Sequence, residues 1–289
     1  MSVPARPGRQ SRVGAHVAVG SRRALAIADE IGAEVVQIFV GNPRGWANPR
    51  IDPAADERFR AGCAARGLPV FVHAPYLINF GSPSPETLTR SSAALAFTLA
   101  RAATLGARGV VMHAGSAVHG SRQQDALRQV REHLPRVLDE APGPPVLIEA
   151  TAGGGCALAW NAASLAEYLA VLGDDERIGV CLDTCHMHGA GHDLSTRSRF
   201  AASLREYARA AGPRRIGLVH ANDSRDAVGS RRDRHARLGS GTIGVEPFQA
   251  LMTSPVTRGV PLVVETADKD HAADIATLKR LRSAAPSRK

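Results

Sequence analysis

Eight short apolar runs, separated by stretches of helical periodicity, most limit how this chain can fold. They lie at 12–17 (RVGAHV), 34–40 (EVVQIFV), 69–73 (PVFVH), 109–113 (GVVMH), 145–149 (PVLIE), 178–183 (IGVCLD), 215–220 (RIGLVH) and 261–265 (PLVVE). Each is nearly continuous in apolar residues and rich in Val and Ile. Strands buried on both faces read this way, as in a parallel sheet. Between them, segments such as 85–106, 121–140, 161–172 and 196–211 repeat apolar residues at helical spacing. The SPSPETL opening of 85–106 offers a helix cap with Pro in the first turn. Eight strand–helix units in 289 residues predict a single-domain (β/α)8 TIM barrel over residues 12–289. The longest irregular stretch, 221–245, reads as a functional loop of that barrel rather than a boundary. Residues 1–11 read as a short, flexible basic tail.

Composition narrows the partners. Hydrophobic residues make up 44% of the chain and aromatics only 4%, so an aliphatic core is expected. The net charge is +9, and nearly all the cations are Arg. That surplus suits a polyanion such as nucleic acid, although charge alone is equally compatible with a solubilising surface. The four cysteines, Cys63, Cys156, Cys181 and Cys185, form no CxxC pair, which argues against a zinc ribbon or a disulfide framework. Reduced thiols in a cytoplasmic enzyme are the expectation. No stretch is long and apolar enough to span a membrane, and the basic start lacks the apolar core of a signal peptide.

The ends of the runs carry the chemistry. The third ends in His73, the fourth in His113, the fifth in Glu149, the sixth in Asp183, the seventh in His220 and the eighth in Glu265. In a barrel all strand ends of one sense surround one mouth, where active sites form. One strand-end His or Glu is usually a hydrogen-bonded structural residue. Six in register would bury unpaired carboxylate and imidazole at high cost without a cation. His186 lies one helical turn beyond Asp183, and in RRDRH the i, i+2 pair Asp233 and His235 falls on one face of an extended segment. These donors are nitrogen and oxygen, which suits Zn²⁺ and also Mn²⁺ or Fe²⁺. Nine are too many for one tetrahedral ion and fit a cluster of two or three. Such a cluster is suited to phosphoester hydrolysis.

Several blocks together resemble the endonuclease IV family of apurinic/apyrimidinic (AP) endonucleases. They are GAHV at 14–17, NPRGW at 42–46, HAPYLINFGS at 73–82, MHAGS at 112–116, IEATAG at 148–153, LDTCH at 182–186, HANDS at 220–224, RRDRHARLGSGTIG at 231–244 and VVET at 263–266. The resemblance implies three Zn²⁺ per chain, with Mn²⁺ an alternative at one position. By position His73, His113 and Glu149 would hold the first ion. Glu149 would bridge to the second, completed by Asp183, His220 and Glu265, and His186, Asp233 and His235 would hold the third. It also implies cleavage 5′ to abasic sites in double-stranded DNA, leaving a 3′-hydroxyl and a 5′-deoxyribose phosphate, together with 3′-end repair. Glu149 and Glu265 take the catalytic positions. Arg44, Tyr76 and Leu77 match positions that insert into DNA at the lesion; by residue type alone they read as a solvated cation and loop packing.

The chain departs from the family pattern at Ala150, where Asn is expected beside a metal ligand. Gly45, Ala74 and Pro75 also replace the expected polar or larger residues, beside the proposed wedge. His16 faces the same mouth and reads as a DNA-phosphate contact or a support for the ligands. His119, His133 and His271 are expected at the surface, and the protein as a monomer. In CLDTCHMHGAGHD, Cys181 does not suit an oxygen- and nitrogen-rich cluster, Cys185 is expected to pack against the barrel, and His188 and His192 occupy positions not reserved for ligands. One rival reading is a metal-dependent sugar isomerase or epimerase of the same barrel type, which needs neither the third donor set nor a basic surface; a second is a catalytically silent DNA-binding or metal-storage protein, against which the complete ligand set argues.

Overall fold

The computed structural model describes residues 10–17, 20–118 and 122–285. Eight parallel strands close into a barrel: β1 (Val13–His16), β2 (Val36–Phe39), β3 (Val70–His73), β4 (Val110–His113), β5 (Val146–Glu149), β6 (Ile178–Asp183), β7 (Ile216–His220) and, after a ribbon, β10 (Leu262–Val264). All eight predicted runs are strands, and β1 pairs with both β2 and β10 to close the ring. The helices α1 (Gly20–Glu30), α2 (Pro53–Arg66), α3 (Pro85–Thr104), α4 (Gln123–Glu140), α5 (Ala162–Leu172), α7 (Arg197–Ala211), α8 (Gln249–Thr253) and α9 (His271–Ser283) connect them, with a short α6 (Thr184–Gly189) directly after β6. The α3 start is the predicted one: Ser84 accepts from the Thr87 N–H and Pro85 follows.

Strand pleating divides the core. Val13, Val36, Val70, Val110, Val146 and Val180 belong to the large cluster formed with helix residues such as Leu95, Leu134, Leu165 and Leu204. The alternate positions Val35, Phe71, Val111, Leu147, Cys181, Leu218 and Val263 form a separate small cluster inside the barrel. Leu147 fills much of that space because its neighbours have no side chain. A Cβ at Gly179 would come within 2.6 Å of it, and one at Gly217 within 2.8 Å.

Two residues further along each strand, in the same pleat phase, stands a polar layer: His16, Gln37, His73, His113, Glu149, Asp183, His220 and Glu265. Strand register levels it, with His113 beside Glu149 and Asp183 beside His220, the latter after a bulge at Val180/Cys181. The irregular 221–245 stretch contains an antiparallel ribbon, β8 (Asp223–Ser224) with β9 (His235–Ala236), which pairs Ser224 with His235.

Residues 1–9 of the expected tail lie outside the described residues, as does His119. Ser11 is already fixed: its hydroxyl donates to the Thr257 carbonyl at 2.9 Å, and the Ser11 carbonyl accepts from Arg282 at 2.8 Å. Among the described residues no helix is long and apolar enough to cross a membrane.

Candidate metal centre

The nine predicted donors line one mouth, in four overlapping groups. His73, His113 and Glu149 can point donor atoms at one another, as can Glu149, Asp183, His220 and Glu265. The predicted third trio is divided between two groups that share His235, which stands with Asp183 and His186 in one and with Asp233 and Cys185 in the other; the His186, Asp233 and His235 donors are together termed the third group. Glu149 is shared. Its Oε2 lies 3.1 Å from His73 Nε2 and 3.4 Å from His113 Nε2, while its Oε1 lies 3.1 Å from His220 Nδ1 and 3.3 Å from His186 Nδ1.

Asp183 explains how one strand end serves two groups. It ends β6 and caps α6, its Oδ1 accepting the His186 N–H at 2.7 Å. Helix initiation at once brings His186 back toward the mouth. There His186 Nε2 stands 3.2 Å from Asp233 Oδ2, and His235 Nε2 stands 3.0 Å from Asp233 Oδ1.

In three of the histidines Nδ1 is held by a backbone carbonyl, at His186 while also lying near Glu149. His73 Nδ1–H donates to the Ala74 carbonyl (2.7 Å), His186 Nδ1–H to the Ala150 carbonyl (3.0 Å) and His235 Nδ1–H to the Glu265 carbonyl (3.2 Å). Each bond selects the tautomer that leaves Nε2 free toward the centre. At Ala150 the main chain, not the side chain, orients His186, so the departure from Asn leaves this contact intact.

The buried carboxylates depend on nearby positive charge. Glu149 and Asp183 are fully buried, and their ion-pair partners among the described residues are all imidazoles. Burial opposes ionisation of Glu149, but His220 and His113 outweigh it and hold its carboxyl well below the usual range. Burial raises Asp183, and His186 and His235 only partly offset that. For His235, burial is overcome by Asp233, Asp183 and Glu265, which push it up to about 9. His186 Nε2, despite its closeness to Asp233, is buried without an aligned hydrogen bond among the described residues. A donor set this rich in carboxylates, with lone pairs converging, fits divalent cations.

Comparison with known proteins agrees with this geometry. A family model described as xylose isomerase-like TIM barrel matches residues 25–284. A Streptomyces avermitilis protein named "Probable endonuclease 4" is 48% identical over 287 residues, covering 96% of this chain and 93% of the relative. The crystal structure of endonuclease IV from Thermus thermophilus aligns with a TM-score of 0.83 at 34% identity, covering 94% of this chain and 99% of that one.

The chain belongs to the endonuclease IV family.

A D-psicose 3-epimerase structure aligns at a TM-score of 0.69 over 94% of this chain and 99% of that one, but at 15% identity it shares the fold alone. In this endonuclease IV family member the Arg44 and Tyr76 loops are joined, the Tyr76 N–H donating to the Pro43 carbonyl at 2.9 Å. Tyr76 is 42% exposed and stacks on His113 with ring centres 5.4 Å apart; Arg44 is exposed and Leu77 half-buried. His16 is buried against Phe39, and its Nδ1 lies 2.9 Å from Glu265 Oε1.

Other expectations were altered. His271, expected at the surface, is buried: α9 packs on β1 and β10, and its Nε2 donates to the Thr266 carbonyl at 2.9 Å. His133 is half-buried. Cys181 belongs to the apolar layer below the centre, whereas Cys185 lies close to Asp233 and His235. Burial pushes the Cys185 thiol up to about 12, so it remains protonated. His188 is buried, accepting the Leu194 N–H at Nδ1 (3.3 Å), which leaves Nε2–H to donate to Thr242 Oγ1 (3.2 Å).

Two site residues escaped the sequence reading. Asn222 Nδ2 donates to Asp183 Oδ2 (2.6 Å) while its Oδ1 accepts the Glu265 N–H (2.8 Å), tying two ligand-bearing strand ends together. Gln37 contacts both Glu265 and His220. An amide amid the apolar residues of VVQIFV is the signal that marked it.

Proposed function

We infer that this protein is a DNA-repair endonuclease that hydrolyses the phosphodiester 5′ to abasic sites in duplex DNA and trims blocked 3′ ends. The observation that carries this reading is the set of His, Asp and Glu donor groups at one barrel mouth, two of them sharing Glu149, in a chain 48% identical to a relative named as an endonuclease 4. The residues that would hold metal are His73, His113 and Glu149; Glu149, Asp183, His220 and Glu265; and His186, Asp233 and His235. Zinc suits all three groups. Bound there, the ions would supply Lewis acidity and neutralise charge on the phosphate and the leaving oxygen.

The protein's own groups perform the remaining tasks. Glu149 and Glu265 orient the attacking water at the first and second groups. His16 and Gln37 both point at Glu265 Oε1, from 2.9 Å each, and so hold that carboxylate in place. Arg231, which lies over the Trp160 ring at 5.0 Å, belongs with exposed Arg232 and Arg237 to a basic rim beside the third group that suits DNA phosphates. Tyr76, Leu77 and Arg44 form the edge that enters the duplex. A flipped nucleotide is needed to reach so deep a mouth, and flipping costs least where no base is paired.

The test is incision of a duplex carrying one abasic analogue by zinc- or manganese-loaded protein, with metal analysis expecting about three ions per chain. Cutting 5′ to the lesion is expected. Its absence, where a control AP endonuclease cuts, defeats the reading. Glu265→Gln should abolish cutting with the circular dichroism spectrum unchanged.

A further inference from the structure

The polar layer of the barrel takes one residue from each of the eight strands or the position just after it, and Gln37 alone among them is neither acidic nor an imidazole. It is fully buried. Its orientation follows from its neighbours. The Gln37 amide nitrogen lies 2.9 Å from Glu265 Oε1, and the reverse placement would set an amide oxygen against a carboxylate. The amide oxygen therefore faces His220 Nε2, at 3.0 Å. An oxygen there accepts a hydrogen bond, so Nε2 carries the proton. His220 Nδ1 is left to face Glu149 Oε1 at 3.1 Å and Glu265 Oε2 at 3.0 Å.

His220 is thus unlike its companions. His73, His186 and His235 turn Nε2 to the centre and fix Nδ1 with a backbone carbonyl, which substitution does not remove. His220 turns Nδ1 to the centre, and the group that fixes Nε2 is a side chain. The same side chain holds Glu265 Oε1, leaving Oε2 toward His220. Two donors of the second group therefore depend on one amide.

We propose that Gln37 is a positioning residue that sets the His220 tautomer and the Glu265 rotamer, and so fixes Nδ1 of His220 as the metal-facing donor of the second group. This rests on the metal-centre reading above. A residue one step removed from the metal in this way typically changes metal affinity by about 10–100-fold when replaced.

The proposal can be tested without activity. In zinc-loaded wild-type protein with ¹⁵N-labelled histidine, long-range ¹H–¹⁵N correlation reads which His220 nitrogen bears the proton. Nε2–H is expected, and a proton on Nδ1 overturns the proposal with no variant needed. Gln37→Leu should release one ion about 10–100-fold more readily to a competing chelator while the others are retained. Gln37→Glu keeps an acceptor opposite Nε2 but sets a carboxylate against Glu265 Oε1, so it should keep the Nε2–H tautomer without restoring wild-type metal retention. Unchanged retention in Gln37→Leu, parallel loss of all ions together with a lower melting temperature of the metal-free protein, or wild-type retention in Gln37→Glu would each overturn it. If wild-type protein binds no metal, the metal-centre reading fails and takes this proposal with it. If wild-type protein binds metal and Gln37→Leu binds it equally, this proposal alone fails.

Discussion

Asp223→Asn probes how the ribbon beside the third donor group is held. Asp223 is fully buried, and its carboxylate accepts four backbone N–H groups. Oδ1 takes Ser224 (2.8 Å) and Ile243 (3.0 Å); Oδ2 takes Gly239 (2.9 Å) and Gly241 (3.1 Å). Asparagine has the same shape but turns one oxygen into an amide nitrogen, so two of these donors come to face a donor. Hydrogen bonds to a charged acceptor contribute about 1.5–3 kcal/mol each, and a buried polar group without a partner costs about 1–3 kcal/mol. Two losses, partly relieved by the loop shifting toward water, place the destabilisation near ~3 kcal/mol. Relief is limited by the tight fit: a Cβ at Gly241 would lie 2.3 Å from the Ser224 carbonyl oxygen. Because Ser224 pairs with His235, the third donor group should loosen as well. Urea unfolding of metal-free protein should show the lower midpoint, and amide exchange should accelerate at Gly239 and Gly241. A variant within about 0.5 kcal/mol of wild type, with exchange unchanged, refutes the reasoning.

Two further outcomes follow from groups outside the centre. Burial would raise Glu34, but Arg282, the Val13 N–H and Lys279 outweigh it and hold its carboxyl down to about 2. A folded-state value below the unfolded one contributes stability above the unfolded value, near 4.5, which is lost as the pH falls toward 2. After discounting for partial exposure, wild type should lose about 1–2 kcal/mol more than Glu34→Gln between pH 6 and pH 3; parallel stability curves would contradict this. Tyr168 is fully buried, with no hydrogen-bond partner for its hydroxyl among the described residues. Tyr168→Phe should therefore stabilise the protein by about 1 kcal/mol, and calorimetry showing a lower melting temperature would count against it.

The sequence alone determined the strands and their levels. Val and Ile runs separated by helical segments permit little besides a closed parallel barrel, and the period-two pleat carries Phe71 to His73, Val111 to His113 and Leu147 to Glu149. That local rule is why the donor positions were legible before any geometry. It did not reveal which atoms meet. Gln37 reads as a polar blemish in an apolar run until ring closure sets β2 and β7 across the barrel and brings its amide oxygen to His220. Asn222 gains its part only where β6, β7 and β10 end side by side. His271 looks like a surface residue of a polar helix start until α9 closes over β1 and β10. Tautomers, carboxylate orientation and burial of this kind depend on residues as far apart in the chain as His16 and Glu265. Pattern in sequence reports the face a residue points to; only the closed tertiary structure decides what stands opposite it.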